Sequence, residues 1–174
     1  MAATSTGPRS AFFYGTLMAP QVLHRVCHGT PSASNPIYTT SSLTTTPARL
    51  KNHRRHRVRG ADYPAILPTS PSQNSAVLGT HVSGLTDADI WRLDIFEGSE
   101  YSREKVHVHL LKNDGSGQET GEVVECETYI WKSEPGELED KEWDFAEFQR
   151  EKMRFWVGSE GEGEYAGRPS IIGQ

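Results

Sequence analysis

The chain has 174 residues, a formal net charge of −5 and an apolar fraction of 35%. This length suits one domain with its own hydrophobic core, and the negative charge gives no reason to expect nucleic acid or an anionic membrane as a partner. The sequence holds no apolar run of the roughly 20 residues that cross a bilayer, and residues 1–10 lack the apolar core of a signal peptide. Cys27 and Cys126 form neither a disulfide framework nor a CxxC metal motif, which favours a reducing, cytoplasmic compartment.

The predicted elements include more strands than helices. Residues 1–9 are interpreted as a flexible leader, residues 10–157 as a single domain and residues 158–174 as a mobile tail. Within the domain the predicted order is a strand at 10–14, a helix at 20–28, a loop at 29–47 with a further strand near Leu43, strands at 50–59, 65–67 and 76–82, a helix at 86–96, strands at 106–111 and 123–131, an acidic loop at 134–144 and a helix at 145–156. Strands that do not alternate regularly with helices indicate an α+β fold, with a mixed sheet or small mixed β-barrel.

The helix at 86–96 has the clearest end signals. Thr86 can cap its N-terminus, acidic residues occupy its first turn, and Gly98 follows its end. Its buried face is predicted to consist of Ile90, Leu93 and Phe96.

The other two helices are predicted from a cap or a proline at their first turn and from an apolar side. Pro20 suits the first turn of the helix at 20–28, and Asp144 is the predicted cap of the last helix. The residues expected to be buried are Val22, Leu23 and Val26 in the former, and Phe145, Phe148, Phe155 and Trp156 in the latter. We expect the last helix to pack on the rest of the domain or to form a dimer contact.

Residues 51–59 contain five Lys or Arg residues. Such a run can contact RNA or an anionic lipid, but it has no interleaved aromatic residues for base stacking. It is more typical of the solvated face of an edge strand. The next strand lies between Pro64 and Pro68, which also indicates an edge position.

The tetrapeptide at residues 14–17, Tyr-Gly-Thr-Leu, directly follows an apolar pair at the end of the first strand. Gly15 permits a sharp departure from the strand. The amides that follow precede a predicted helix N-terminus, where a bound carboxylate or phosphate is favoured. An ordinary strand-to-helix turn explains the same residues.

Glu97 presents a carboxylate at the end of the helix at 86–96. The negative end of the helix dipole and the apolar neighbours are expected to raise the pKa of this carboxyl, toward the range of a general base near neutral pH. A solvated surface glutamate is the alternative interpretation.

Two groups of histidines have a spacing that resembles metal ligation. His24 and His28 lie four residues apart with Cys27 between them, and His107 and His109 share one face of a strand. Neither group is followed by a further ligand pair at matching spacing. Surface or packing roles are therefore favoured, and no metal site is predicted.

Several short segments occur in a specific order along the chain: Phe-Tyr-Gly-Thr-Leu-Met at 13–18, Arg-Val-Arg-Gly at 57–60, Tyr-Pro-Ala-Ile at 63–66, Leu-Asp-Ile-Phe-Glu-Gly at 93–98 and Tyr-Ser-Arg at 101–103. In this order and spacing they resemble the gamma-glutamyl cyclotransferase-like family, most closely its plant and fungal avirulence-induced-gene-like branch. The resemblance covers residues 11–131.

This resemblance implies a small mixed β-barrel with flanking helices, a small-molecule γ-glutamyl substrate and no cofactor. It assigns Glu97 as the catalytic acid/base of an intramolecular cyclisation that yields 5-oxoproline and a free amine. The implied substrate-binding residues are Tyr14, Gly15, Thr16, Leu17, Tyr63 and Tyr101. A monomer or weak homodimer is expected. Other acyl transfers, amide hydrolysis and non-catalytic binding of a small molecule remain alternative functions of the same fold.

Overall fold

The computed structural model of the chain describes residues 9–28, 43–153 and 156. The predicted tail, and most of the predicted leader and of the loop at 29–47, lie outside these residues. In chain order the elements are β1 (Arg9–Phe13), α1 (Pro20–His28), β2 (Thr44–Lys51), β3 (His53–Arg57), β4 (Pro64–Pro68), β5 (Ala76–Leu85), α2 (Asp87–Glu97), β6 (Tyr101–Leu111), β7 (Glu119–Trp131) and α3 (Phe145–Glu151).

Five of the strands close into a barrel in the order β1-β5-β2-β6-β7. The neighbouring strands are antiparallel, except that β1 runs parallel to β7 where Ala11 pairs with Glu127. The barrel strands and β4 share a buried apolar cluster whose members are Phe12, Tyr14, Ala48, Leu50, Ile66, Val77, Val108 and Cys126. The predicted α+β fold with a small mixed β-barrel is confirmed.

The predicted strand at 50–59 is wrong as a single element. Asn52 has a left-handed backbone with φ 63°, and it separates β2 from β3. β3 leaves the barrel and pairs with β4 in a separate two-stranded sheet, so the prediction that β4 is an edge strand is confirmed. The strand predicted near Leu43 begins at Thr44, so the predicted loop at 29–47 extends too far. Its three consecutive threonines are β-branched and suit a strand.

Helices α1 and α2 match their predictions. Thr86 and Asp89 form a reciprocal capping box at the start of α2, and Gly98, with φ 85°, follows its end. The residues predicted to be buried are buried in both helices: Val22, Leu23, Val26, Ile90, Leu93 and Phe96. None of the helices within residues 9–28 and 43–153 is long and apolar enough to cross a membrane.

The predicted last helix is interrupted at Lys152. The Asp144 carboxylate accepts hydrogen bonds from the amides of Ala146 and Glu147, which confirms the cap. Helix α3 ends at Glu151, because Lys152 has a non-helical φ of −123°, and Met153 and Trp156 are helical again. Phe148 and Trp156 are buried in a second, larger apolar cluster with Val22 of α1 and Leu93 of α2, which confirms that this part of the chain packs on the domain. The side chain of Phe155 lies outside the described residues.

Candidate active site

An open cavity lies where β1 ends, and its empty space, including the solvent at its mouth, is about 320 Å³. All seven residues assigned to the site from the sequence line it: Tyr14, Gly15, Thr16, Leu17, Tyr63, Tyr101 and Glu97. Four residues that were not predicted complete the wall: Phe12, Phe13, Pro64 and Tyr129. The loop after β1 and the end of α2 therefore share one cavity, although about eighty positions separate them in the sequence.

Position 15 must be a glycine, because the first residue of β4 leaves no room for a side chain there. A Cβ atom built on Gly15 would lie 2.7 Å from Cδ and 2.8 Å from Cγ of Pro64, closer than a real side chain allows. Any larger residue at position 15 would therefore push the loop away from the Tyr63–Pro64 wall. Gly15 thus allows a close approach of the loop backbone to the Pro64 ring, as well as the turn expected from the sequence.

The loop leads first into a short 3-10 turn, Thr16–Met18, and only then into α1. The sequence predicted a loop before a helix that begins at Pro20, and the 3-10 turn within this loop was not predicted. Within the turn, the amides of Met18 and Ala19 donate to the carbonyls of Gly15 and Thr16 at 2.9 and 3.1 Å. The amides of Thr16 and Leu17 precede these donors, and the first N–H groups of a helical turn have no partner inside it. They are the candidate donors to an anion in the cavity.

Glu97 is the last residue of α2, and its side chain is half-buried beside the cavity. The helix stops there because Gly98 adopts φ 85° and its N–H donates to the Asp94 carbonyl at 3.0 Å. A carboxylate carried on the rigid end of a helix has a better-defined position than one on a loop. This geometry suits an acid or base that must meet a bound substrate.

Tyr129 of β7 also lines the cavity, and the sequence reasoning missed it. Its hydroxyl donates to Oδ1 of Asp94 at 2.7 Å. Burial raises the pKa of the Tyr129 phenol, and the hydrogen bond to Asp94 and the negative charge of Glu97 raise it further. Tyr129 therefore keeps its proton at physiological pH and donates it in the hydrogen bond to Asp94. Tyr129 lies on the face of β7 opposite to Cys126 of the barrel cluster, and no local signal marks its partner Asp94.

Asp94 also joins a network of ion pairs that crosses three barrel strands. Arg103 binds the Asp94 carboxylate through Nε at 2.9 Å and Nη2 at 3.2 Å, and through Nη1 it binds Glu127. Glu127 accepts a second charged bond from Nη2 of Arg9 at 2.7 Å. A bidentate arginine fixes direction as well as distance. The last turn of α2, which carries Glu97, is thereby tied to β6, β7 and β1.

Two of the predicted substrate-binding tyrosines donate their hydroxyl protons to the backbone. The Tyr14 hydroxyl donates to the carbonyl of Tyr129 at 2.6 Å, and the Tyr101 hydroxyl donates to the carbonyl of Pro64 at 2.8 Å. A hydroxyl in such a bond can still accept a hydrogen bond from a ligand. Their rings form the wall of the cavity, and these bonds keep the wall rigid.

The histidine groups occupy other places. His107 and His109 on β6 approach Glu125 at 4.0 Å and Glu119 at 3.5 Å on the outside of the hairpin. Cys27 is buried in α1, and burial raises the pKa of its thiol. The side chain of His28 lies outside the described residues. Within the part of the chain that the structure describes, no three His, Cys, Asp or Glu side chains form a metal-binding group.

The chain is similar to known proteins over the region that forms this cavity. A family model described as "Gamma-glutamyl cyclotransferase, AIG2-like" matches residues 11–145, which include every residue of the cavity wall. Protein AIG2 B of Arabidopsis thaliana is 32% identical over 142 residues, which are 82% of this chain and 71% of that protein. The solution structure of another Arabidopsis thaliana protein has a TM-score of 0.58 at 26% identity, over 86% of this chain and 78% of that one. A structure named gamma-glutamyl cyclotransferase shares the fold at a TM-score of 0.51 and 15% identity, over 76% of this chain and 69% of that one. The chain therefore belongs to the gamma-glutamyl cyclotransferase, AIG2-like family.

Proposed function

We propose that the protein is a γ-glutamyl cyclotransferase that acts on a small γ-glutamyl amine or peptide. The observation that carries this proposal is the shared cavity, in which the Glu97 carboxylate and the loop at residues 14–17 line the same space. A γ-glutamyl compound has an anionic α-carboxylate, an α-amino group and a γ-carbonyl within a few bonds. One acid/base and one set of amide donors match these three groups.

The proposed reaction needs one proton carrier. The neutral α-amino nitrogen of the substrate attacks the γ-carbonyl carbon to close a five-membered ring, and Glu97 accepts the one proton that this nitrogen loses. The tetrahedral oxyanion collapses, the bond between the γ-carbon and the leaving amine breaks, and Glu97 returns the proton to that amine. The products are 5-oxoproline and a free amine, and no electrons are exchanged with a cofactor. Because nucleophile and electrophile belong to one molecule, the enzyme gains mostly by folding the substrate and moving this proton.

The other wall residues have supporting roles in this proposal. The amides of Thr16 and Leu17 are candidate donors to the substrate carboxylate or to the oxyanion. Tyr14, Tyr63 and Tyr101 would enclose the folded substrate between aromatic rings and limit its contact with water. Two buried free thiols in the described residues support a reducing compartment, so we propose the cytoplasm as the location and a monomer or weak homodimer as the working form.

The test is an assay for 5-oxoproline after incubation with γ-glutamyl dipeptides, γ-glutamyl amines and glutathione. Glu97→Gln, purified in parallel, serves as the blank for contaminating activity. We expect 5-oxoproline from the wild type with at least one compound, and a rate lower by about 10²- to 10⁴-fold from the variant. Release of free glutamate without 5-oxoproline would instead assign an amide hydrolase, and no turnover of any compound would contradict the proposal.

A further inference from the structure

The basic run of β3 is faced by the acidic segment, residues 134–144. The amide of Arg57 donates to the carbonyl of Lys141 at 2.9 Å, and the amide of Glu139 donates back to the carbonyl of Arg57 at 2.8 Å. Arg54 pairs with Asp140 at 2.7 Å and Arg55 with Glu142 at 2.9 Å. The predicted solvated face of an edge strand is therefore partly covered by the chain's own carboxylates.

Arg55 has a second set of partners that the acidic segment does not supply. Its Nη1 donates to the carbonyl of Tyr14 at 2.7 Å and to the carbonyl of Leu78 at 3.1 Å. Its Nε and Nη2 both donate to Oε2 of Glu142, and its guanidinium carbon lies 5.8 Å from the ring centre of Trp143. The side chain is 11% exposed, whereas that of its neighbour Arg54 is 42% exposed. One guanidinium therefore links the acidic segment, β5 and the first residue of the cavity loop.

The bond to Tyr14 has a direct consequence for the next amide. A peptide unit is planar and trans, so the Tyr14 carbonyl and the Gly15 N–H belong to one rigid plate and point in opposite directions. A guanidinium that fixes the carbonyl also fixes the direction of that N–H. The positive charge on the carbonyl side polarises the unit, which makes the N–H a stronger donor.

We propose that Arg55 is a positioning residue for substrate binding, because it sets the orientation of the Tyr14–Gly15 peptide and of the loop amides that follow it. This role rests on the proposed function for its consequence in turnover, but the orientation itself is independent of any reaction. If Arg55 only held the acidic segment in place, its bond to Glu142 would be sufficient. Its bond to Tyr14 is the contact that distinguishes a positioning role from this structural role.

Three matched variants separate the positioning role of Arg55 from its role in holding the acidic segment. Arg55→Met removes both sets of bonds, Arg54→Met removes a neighbouring ion pair to the same acidic segment, and Glu142→Gln weakens the tether while leaving the Tyr14 bond in place. Each is compared with the wild type by NMR of the backbone amides and by steady-state kinetics on the γ-glutamyl compound that gives the most 5-oxoproline. Thermal unfolding shows which variants are folded.

For Arg55→Met we expect the amide signals of Gly15, Thr16 and Leu17 to shift, and kcat/KM to fall by about 10- to 100-fold, mainly through KM. The pH profile that Glu97 sets should keep its midpoint. If Arg55→Met only unfolded part of the protein, the fraction of active enzyme and hence the apparent kcat would fall, while KM would stay unchanged. For Arg54→Met and Glu142→Gln we expect the three amide signals to stay in place and KM to change less than about threefold.

The proposal is overturned if the three amide signals of Arg55→Met coincide with those of the wild type, or if Arg54→Met raises KM as much. If Arg55→Met does not fold, Arg55→Lys replaces it, because an ammonium keeps the charge but cannot span both partners, and smaller shifts of the same amides are expected. Unmoved amides in Arg55→Lys would also overturn the proposal. If the wild type releases no 5-oxoproline, the proposed function fails, and the amide signals alone decide the role of Arg55.

Discussion

Exchanging one carboxylate oxygen of Glu97 for an amide nitrogen is the smallest change that removes the proposed proton carrier. Glu97→Gln keeps the size of the side chain and its place on the end of α2. We expect kcat to fall by about 10²- to 10⁴-fold, the usual contribution of a positioned acid or base. The melting temperature should change little, because the half-buried side chain contributes little packing. Near-normal turnover of the variant, measured as 5-oxoproline release, would remove Glu97 from the mechanism.

The raised pKa of Tyr129 predicts a loss of stability in alkali. In the unfolded chain this phenol ionises near pH 10, whereas in the folded protein burial and Asp94 keep it neutral. Its contribution is fully present below pH 10 and is lost as the pH rises above it, at up to about 1.4 kcal/mol per pH unit. Urea unfolding of the wild type and Tyr129→Phe should show a constant difference between pH 7 and 9. Above pH 10 the wild type should lose its advantage, and parallel curves up to pH 11 would contradict this assignment.

At the scale of elements, the two ends of α2 should have different effects. Thr86→Ala removes the N-cap, and we expect it to destabilise the protein by about 1 kcal/mol. Glu97 is at the opposite end of this 11-residue helix, about 16 Å away, so KM and kcat should be unchanged.

Asp94→Asn acts at the catalytic end of the same helix. It replaces the carboxylate that holds Arg103 and Tyr129, so the last turn of α2 should lose its fixed orientation. We expect kcat/KM to fall at least about tenfold, in contrast to the cap variant. Equal kinetic effects of Thr86→Ala and Asp94→Asn would show that the ion-pair network does not hold the site.

Local sequence signals account for the elements that were predicted correctly. Thr86 and Gly98 act within one turn of α2, so its ends could be read from neighbouring residues. The break at Asn52 could not be predicted from neighbouring residues. Two different partner strands, β5 for β2 and β4 for β3, decide where β2 ends and β3 begins.

The candidate site also contains residues that local sequence signals predict and residues that depend on distant partners. Glu97 and the loop at 14–17 were found from the order of short motifs. Tyr129 and Arg55 were missed because their partners, Asp94 and Tyr14, lie 35 and 41 positions away. No periodicity within either strand indicates such pairs, which appear only once the barrel brings the strands together.

At the scale of the whole molecule, Trp156 connects the end of the described chain to the wall of the site. Its ring meets Phe96 and Phe148 edge to face at 5.8 Å and Tyr63 at 6.3 Å, and it is fully buried. Trp156→Ala should therefore destabilise the protein by about 3–5 kcal/mol, as measured by urea unfolding. Deleting residues 144–174 removes α3 as well and should leave an unstable or aggregating protein.

Trp91 is the matched control, because it is the same residue type on α2 but is 63% exposed. Trp91→Ala should change the free energy of unfolding by only about 0.5 kcal/mol. Similar losses in both variants, or a soluble and equally stable chain after the deletion, would show that Trp156 is not part of the core.

Because Gly15 and Pro64 are in contact, the residue type allowed at each position depends on the residue at the other. Position 15 has no room for a side chain while the proline ring stands 2.7 Å from where its Cβ would be. The ring in turn fixes the backbone at the start of β4. A substitution at either position alone should be costly, whereas a pair that gives up the ring and gains a methyl group can be compatible. In laboratory evolution that starts from Gly15→Ala, the first compensating changes should therefore arise at position 64, 49 positions away in the sequence but in direct contact with position 15.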